Sequence, residues 1–291
     1  NLATQIRQLE ELSLVQQRFV SDVSHELRTP LTTIRMAADV MYEDRGTFDP
    51  SSARSVELLQ QQLDRFESLL VDLLEISRFD AGVAVLDIEK TDLIPMVERV
   101  VHSTLPLAQR NNLKVRFAAF ERPAFVECDP RRIDRVLRNL VDNAIEHANE
   151  TSVVIELAGD HDSIAITVRD FGVGLMPGEA SLVFSRFWRA DKARARTTGG
   201  TGLGLAIALE DVRLHGGWLE AIGEPGIGAC FRLTLPRIAG EGFTTSPLSM
   251  DEESFGAPAN IESDELSGHQ GNDVVVTRDP LDTAPWRRGG P

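Results

Sequence analysis

The chain is poor in cysteine, has no long apolar run and has no cluster of basic residues, and each of these gaps excludes a class of protein. Its two cysteines, Cys128 and Cys230, are too few for a disulfide framework and lack metal-ligand spacing, so we expect two small buried residues. No apolar run of about eighteen residues and no export signal occurs, so no residue of this chain is predicted to cross a membrane. A net charge of -15 without a patch of lysine and arginine argues against a nucleic-acid partner.

Much of the negative charge lies in residues 240–291. Ten acidic residues and three arginines give this segment a net charge of -7. Glycine, serine and proline are frequent there and apolar periodicity is lost, so we predict a disordered acidic tail. The run Asp273–Thr277 is compatible with a docking strand, but a solvated linker is the favoured interpretation.

Two segments near the N-terminus have apolar residues at alternating spacings of three and four, which is typical of packed amphipathic helices. The first begins near Ile6 and ends at Gly46. The second begins after Asp49, an N-cap residue that is followed by a proline at the first helical position. We predict an antiparallel hairpin. One hairpin cannot cover both seams, so two copies are expected to form a four-helix bundle, that is, a homodimer.

After residue 82 the pattern changes to short β-forming runs between helical stretches, which predicts an α/β sandwich of one sheet covered by helices. The predicted strands are 84–88, 113–117, 125–127, 153–157, 164–168, 218–222 and 230–235, and the predicted helices lie near 92–110, 130–148 and 203–215. The fold class is therefore α+β. We expect a helical domain over 1–81, a sandwich domain over 82–239 and the tail over 240–291.

His25 lies two helical positions after the seam residue Val23, on the face turned away from the bundle core. A lone helical histidine is usually a surface residue without a task, but Glu26 can take a proton from one ring nitrogen and make the other more nucleophilic. Pro30 removes a backbone donor and lets the helix bend there. The hydroxyl of Thr29, one turn away, can hold a water; the alternative is an ordinary surface threonine.

Two further groups suggest a nucleotide site. Asn139 and Asn143 share one helical face and can coordinate Mg²⁺ through their amide oxygens, although such a pair is more often only solvated. Asp170 follows a predicted strand and precedes Gly172 and Gly174, which permit close approach of the backbone. A buried carboxylate accepts a hydrogen bond from the amine of adenine, which favours ATP over GTP.

A glycine run over 199–205 opens a helix, where backbone amides are suited to phosphate. It lacks the lysine of a Walker motif, and alone it is weak support for a phosphate site. The residues of interest in it are Gly200, Thr201, Gly202, Leu203 and Gly204. Upstream, Phe184, Phe187 and Trp188 are predicted to anchor a mobile lid, with Arg186 or Arg189 neutralising phosphate charge. Such aromatics alone are more often core residues.

In order and separation these groups resemble the H, N, G1, F and G2 boxes of sensor histidine kinases, over about residues 6–238. The resemblance implies ATP and Mg²⁺ as cofactors and an ATP-lid fold shared with Hsp90-type chaperones and MutL. It implies that His25 is the phospho-acceptor, Glu26 an acid/base residue and Thr29 part of a phosphatase function. Mg²⁺ and phosphate are then held by Asn139 and Asn143. The implied nucleotide contacts are Asp170, which reads adenine, and Gly172, Gly174, Arg189, Gly200, Thr201, Gly202, Leu203 and Gly204.

The same resemblance implies phosphorylation of His25 by ATP and transfer to the aspartate of a response-regulator receiver domain, with phosphatase activity toward that regulator. The resemblance, together with a start that has no methionine and lies inside a helical pattern, implies the cytoplasmic portion of a membrane protein, attached through missing N-terminal segments. Glu146 departs from the family, in which some members have lysine at this position. An ATP-driven clamp and a catalytically silent scaffold or pure phosphatase remain as alternatives.

Overall fold

A computed structural model describes residue 27, residues 29–120, 122–148, 152–189 and 201–250, and the backbone of 275–277. Contacts divide the chain into two compact units, and each is described by itself. The first unit comprises Asn1–Val85 and Asp191–Ile207, and the second comprises Leu86–Ala190 and Ala208–Pro291. Within the described residues, no helix is both long enough and apolar enough to cross a membrane.

The first unit contains a helical hairpin, as the apolar spacing predicts. Helix α1 covers residues 29–43, a 3-10 helix covers Asp44–Thr47, and α2 covers Pro50–Asp80. Asp49 caps α2 by accepting hydrogen bonds from the N–H groups of Ser51 and Ser52 at 3.0 and 3.2 Å. Because proline at the first position needs no hydrogen-bond partner, the helix begins where the sequence predicts. Leu31, Ala38 and Leu63 form a buried cluster between the helices, with Leu70 packed against it.

The second unit has two sheets with helices packed against the larger one. Its first elements are β1 (Glu89–Asp92), α3 (Leu93–Arg110), β2 (Lys114–Ala119), β3 (Phe125–Cys128), α4 (Pro130–His147), β4 (Ser152–Gly159) and β5 (Ser163–Asp170). A 3-10 helix (Glu179–Ser181), α5 (Gly204–Leu214), β6 (Trp218–Glu224), β7 (Gly228–Pro236) and β8 (Val275–Thr277) follow. The first residues of α5 belong to the first unit.

The larger sheet has the strand order β6-β7-β5-β4-β2-β8, and β1 pairs with β3 in a separate antiparallel ladder. Strand β2 is parallel to β4 and β8, and the other pairs of this sheet are antiparallel. Opposed residues such as Ile155 and Val168 are fully buried in the layer where α3 and α4 contact the sheet. The predicted α/β sandwich is therefore confirmed. Cys128 and Cys230 are buried free thiols, as expected.

The other face of the sheet carries both polar and apolar side chains, such as Thr234 and Trp218, and residues 243–248 cover part of it. Phe243 packs against Trp218 with ring centroids 4.3 Å apart, and the hydroxyl groups of Ser246 and Thr234 lie 2.9 Å apart. Leu248 is buried, and its carbonyl accepts a hydrogen bond from Arg232. The start of the predicted disordered tail is thus folded onto the sheet, because its apolar side chains find partners there.

Two further differences from the sequence prediction are local. Residues 275–277 form the edge strand β8, beside Arg116–Ala118 of β2, in the run for which a solvated linker was the favoured interpretation. The strand predicted at 84–88 is absent: residues 83–88 have no regular structure, and β1 starts at Glu89. The N–H of Asp87 donates to the Asp129 side chain at 3.1 Å instead of to a neighbouring strand.

Candidate functional site

Asp170 ends β5 with its carboxylate buried, and only 1% of the residue is exposed. Its Oδ1 accepts hydrogen bonds from the backbone N–H groups of Gly172 at 3.0 Å and Ala229 at 3.3 Å. Burial raises the pKa of Asp170 to about 6, and these amide bonds together with the charge of Arg169 oppose the rise. A buried acceptor with a fixed orientation is thus present at the predicted position.

The loop after Asp170 lies so close to its neighbours that side chains do not fit. A Cβ on Gly172 would lie 1.6 Å from the carbonyl oxygen of His147, the last residue of α4. Gly174 has a φ of +70°, and its Cβ would lie 1.8 Å from the last carbonyl oxygen of β6. Gly228, with a φ of +128°, approaches the carbonyl of Asp170 in the same way, at 2.1 Å. Because these three residues have no Cβ, the loop after Asp170 can pack closely between α4 and the β6–β7 turn.

Asn139 and Asn143 lie on one face of α4, and both are half-buried. The adjoining face of the helix is held in the core by fully buried residues such as Leu140 and Ala144, which fixes the direction of the amides. Among the residues that the structure describes, no group of three or more His, Cys, Asp or Glu side chains is arranged to hold a metal. Mg²⁺ needs few protein ligands when phosphate and water supply the others, so the asparagine pair fits such an ion.

Residues 184–189 lead from the sheet toward the face of α4 that carries the two asparagines. The Phe184 ring meets Phe231 edge to face, with centroids 6.2 Å apart, whereas Phe187 is exposed and has a φ of 61°. Desolvation and the charge of Asp142 raise the pKa of Glu146, and the positive charge of Arg189 opposes this rise. Arg189 therefore lies within electrostatic reach of the helix that carries the asparagines.

Residues 201–207 belong to the first unit, where they contact α2. The hydroxyl of Thr201 donates to Oδ2 of Asp72 at 2.9 Å and accepts from the N–H of Leu203 at 3.2 Å. Leu203 is fully buried in a cluster with Ile76 and Ile207. The Leu203 side chain thus belongs to the apolar core beside α2.

Gly202, in the same segment, has a φ of 72°, and Gly204 begins α5. Gly200 lies outside the described residues, as do His25 and Glu26 of the predicted phospho-acceptor group. Thr29, the third member of that group, is exposed at the start of the described part of α1. Its carbonyl accepts a hydrogen bond from the Thr33 hydroxyl at 3.2 Å, a local helical contact.

The sequence reading missed Gly228 and Ala229, which hold Asp170 from the β6–β7 turn. The signal that was available is the glycine pair Gly226 and Gly228 between two β-forming runs, which is typical of a tight turn between paired strands. Sequence alone does not show that this turn meets the loop after Asp170, because the two lie far apart along the chain.

Two family descriptions match the chain. Residues 15–82 match the His Kinase A (phospho-acceptor) domain, and residues 128–239 match the histidine kinase-, DNA gyrase B- and HSP90-like ATPases. The second range includes Asn139, Asn143 and Asp170. The helical hairpin therefore lies in the range that matches one family, and the Asp170 site lies in the range that matches the other.

Curated relatives of the chain are sensor histidine kinases. The chain is 54% identical over 279 residues to the sensor histidine kinase MtrB of Mycolicibacterium paratuberculosis, covering 96% of this chain and 49% of the relative. It is 56% identical over 250 residues to MtrB of Mycobacterium tuberculosis, covering 86% of this chain and 44% of the relative. The chain thus spans about half the length of these relatives.

Solved structures share the fold. Full-length ShkA in complex with AMPPNP has a TM-score of 0.67 and 24% identity, over 77% of this chain and 46% of that one. The histidine kinase ThkA in complex with the response regulator TrrA has a TM-score of 0.55 and 23% identity, over 81% and 66%.

Proposed function

Because the chain belongs to the sensor histidine kinase family, we propose that it transfers the γ-phosphoryl group of ATP to His25 and then to an aspartate of a response regulator. The observation that carries the proposal is the Asp170 site. A buried carboxylate, oriented by two backbone amides, lies beside a loop where only glycine fits and next to the asparagine helix. This arrangement suits an adenine amine at the carboxylate and phosphates nearer to α4.

The hydrogen bonds from the Gly172 and Ala229 amides both go to Oδ1 of Asp170, so we assign Oδ2 as the acceptor for the adenine amine. Asn139 and Asn143 would hold Mg²⁺, which offsets phosphate charge when it is bound. Arg189 is proposed to neutralise phosphate charge as well, and its proximity to Glu146 supports a position beside α4. The backbone of Gly200, Thr201, Gly202, Leu203 and Gly204 is proposed to contact the phosphates.

His25 is proposed as the nucleophile, with Glu26 orienting the ring and Thr29 holding a water in the phosphatase reaction. Such a transfer depends mainly on positioning and electrostatic stabilisation, because the attacking nitrogen and the leaving oxygen must lie in line with the phosphorus. His25 loses its ring proton as the N–P bond forms and ADP leaves. The regulator aspartate then takes the phosphoryl group, and the histidine is regenerated.

We propose a homodimer, because one hairpin leaves many apolar residues in solvent. Ile34, Val40 and Phe66 are each more than half exposed, although they belong to helices with apolar seams. A second hairpin would cover them in a four-helix bundle. The regulator is proposed to be similar to MtrA, from the resemblance to MtrB. Membrane attachment is proposed from the resemblance to sensor histidine kinases that are about twice as long as this chain.

The test is incubation with γ-labelled ATP and Mg²⁺, comparing wild type with His25→Gln. His161→Gln is the matched control, since this histidine is fully surface-exposed on a loop of the second unit. We expect label on the wild type and the control, none on His25→Gln, and a bond that is labile in acid and stable in alkali. ATP hydrolysis without labelled protein would indicate a nucleotide-driven clamp, and failure to bind ATP would indicate a scaffold.

A further inference from the structure

Three segments of the second unit meet at Asp129, which is buried. Its Oδ1 accepts from the N–H groups of Arg131 and Arg132 at 3.1 and 3.3 Å and so caps α4. Its Oδ2 accepts from the N–H of Asp87 at 3.1 Å. Its own N–H donates to Nε2 of His215, just after α5, at 2.9 Å. One side chain and its amide thus tie a connecting segment to two helices.

This junction rests on a second buried group. Nε2 of His215 accepts a hydrogen bond, so Nδ1 carries the proton and donates to the carbonyl of Asp211 at 2.6 Å. The carboxylate of Asp211 is fully buried and pairs with Arg132 at 2.8 Å and Arg135 at 2.6 Å. These bonds join α5 to α4 and so restrict the movement of Asp129 relative to the two helices.

The segment that Asp129 holds is the one through which the chain passes from the first unit into the second. Gly82 has a φ of 66°, and residues 83–88 have no regular structure. Within this segment the Asp87 N–H is hydrogen-bonded to Asp129. The Asp87 side chain also forms an ion pair with Arg131 on the surface, at 2.8 Å. The bond to Asp129 therefore ends the free part of the connection two residues before β1 begins to pair with β3 at Glu89.

We propose that Asp129 is a positioning residue for phosphoryl transfer, because it fastens the connecting segment to the first turn of the helix that carries Asn139 and Asn143. The inference rests on the proposed function. A shorter free connection limits the arrangements of the nucleotide relative to His25, and loss of one anchor lowers the effective concentration of the reacting groups. Binding of ATP does not depend on the Asp87–Asp129 bond, since none of the proposed ATP contacts lies in residues 83–88.

Asp129→Asn isolates the anchor. Asparagine retains one oxygen and is as good an N-cap as aspartate, but its NH₂ group would face the Asp87 N–H, donor against donor. We expect ATP affinity within about twofold of wild type and a rate of His25 labelling reduced by about fivefold or more. Asp87→Ala is the control, because it removes the exposed ion pair with Arg131 and keeps the N–H; its labelling rate should equal that of wild type.

Amide hydrogen exchange at Asp87 gives a readout that does not depend on activity. The Asp87 amide should be protected in wild type and in full chains that carry other substitutions, and should exchange about tenfold faster or more in Asp129→Asn. An unchanged labelling rate, or ATP affinity that falls by the same factor as the rate, would overturn the inference. If the wild type takes up no label, the proposed function fails, while exchange at Asp87 still decides whether the anchor exists.

Discussion

Substitution of Gly172 by alanine tests whether close approach of the loop to α4 builds the site. The added Cβ would lie 1.6 Å from the carbonyl oxygen of His147 and 2.9 Å from Cα of Ala148. A carbon and an oxygen approach one another to about 3.2 Å at closest, so the loop or the end of α4 must move by about 1.6 Å. Both partners are backbone, so a change of rotamer cannot relieve the contact.

The cost follows from the contacts that such a movement breaks. Overpacking in a tight region typically costs about 1–3 kcal/mol, and the Val173 N–H bond to His147 at 3.3 Å contributes about 1 kcal/mol more. We therefore expect a loss of about 2–4 kcal/mol in the free energy of unfolding. The Gly172 N–H also orients Asp170, so ATP affinity should fall even under conditions where the variant is folded.

Gly242→Ala is the matched control, because the new Cβ would meet nothing within 4 Å and the backbone does not require glycine there. Its stability should stay within about 0.5 kcal/mol of wild type. Urea unfolding followed by circular dichroism measures both variants, and a fluorescent ATP analogue measures binding. If Gly172→Ala is as stable as the control and binds ATP equally well, the close contact does not shape the site.

Four further outcomes are expected from the burial of Asp170, the burial of Leu248 and the cap of α2. Because burial raises the pKa of Asp170 to about 6, its carboxyl becomes protonated between pH 7 and pH 5. The ATP affinity of the wild type should therefore fall by about tenfold over this range, whereas that of Asp170→Asn should not change. Since the folded-state pKa lies above the unfolded value, this group makes the chain more stable as the pH falls from above 6 toward 4, which urea titrations of the two proteins should show as a difference. Leu248→Ala should lower the free energy of unfolding by about 2–3 kcal/mol, because Leu248 is buried. Ile238→Ala is the control at an exposed residue and should lower it by less than about 0.5 kcal/mol. Equal losses would mean that residues 243–248 do not pack on the sheet. Asp49→Ala should cost about 1 kcal/mol through loss of the α2 cap, seen as a lower melting temperature of the hairpin, whereas Asp49→Asn should not.

Helix starts, apolar faces and candidate ligands could be predicted from the sequence, because they depend on residues that are close together along the chain. Asp49 and the proline after it start α2 at the predicted residue, because the cap and the fixed φ of proline act within one turn. Asp129 starts α4 in the same way. Alternating apolar residues mark the hairpin and the strands, since each element must bury one face. Asp170, Asn139 and Asn143 could be picked out because their residue types and spacing suit particular ligands.

Contacts between residues distant in the sequence decided the rest. Residues 84–88 have the composition of a strand, but the Asp87 N–H finds its acceptor on Asp129, which is remote in sequence. Phe243 and Leu248 lie in a segment that resembles a disordered tail, yet they find apolar partners on the sheet. The sequence by itself therefore determined the elements, their caps and the candidate ligands, which depend on neighbours along the chain. Only the tertiary structure decided which loop holds Asp170 and which helix anchors the connecting segment, because those hydrogen bonds exist only once the sheet and helices have packed.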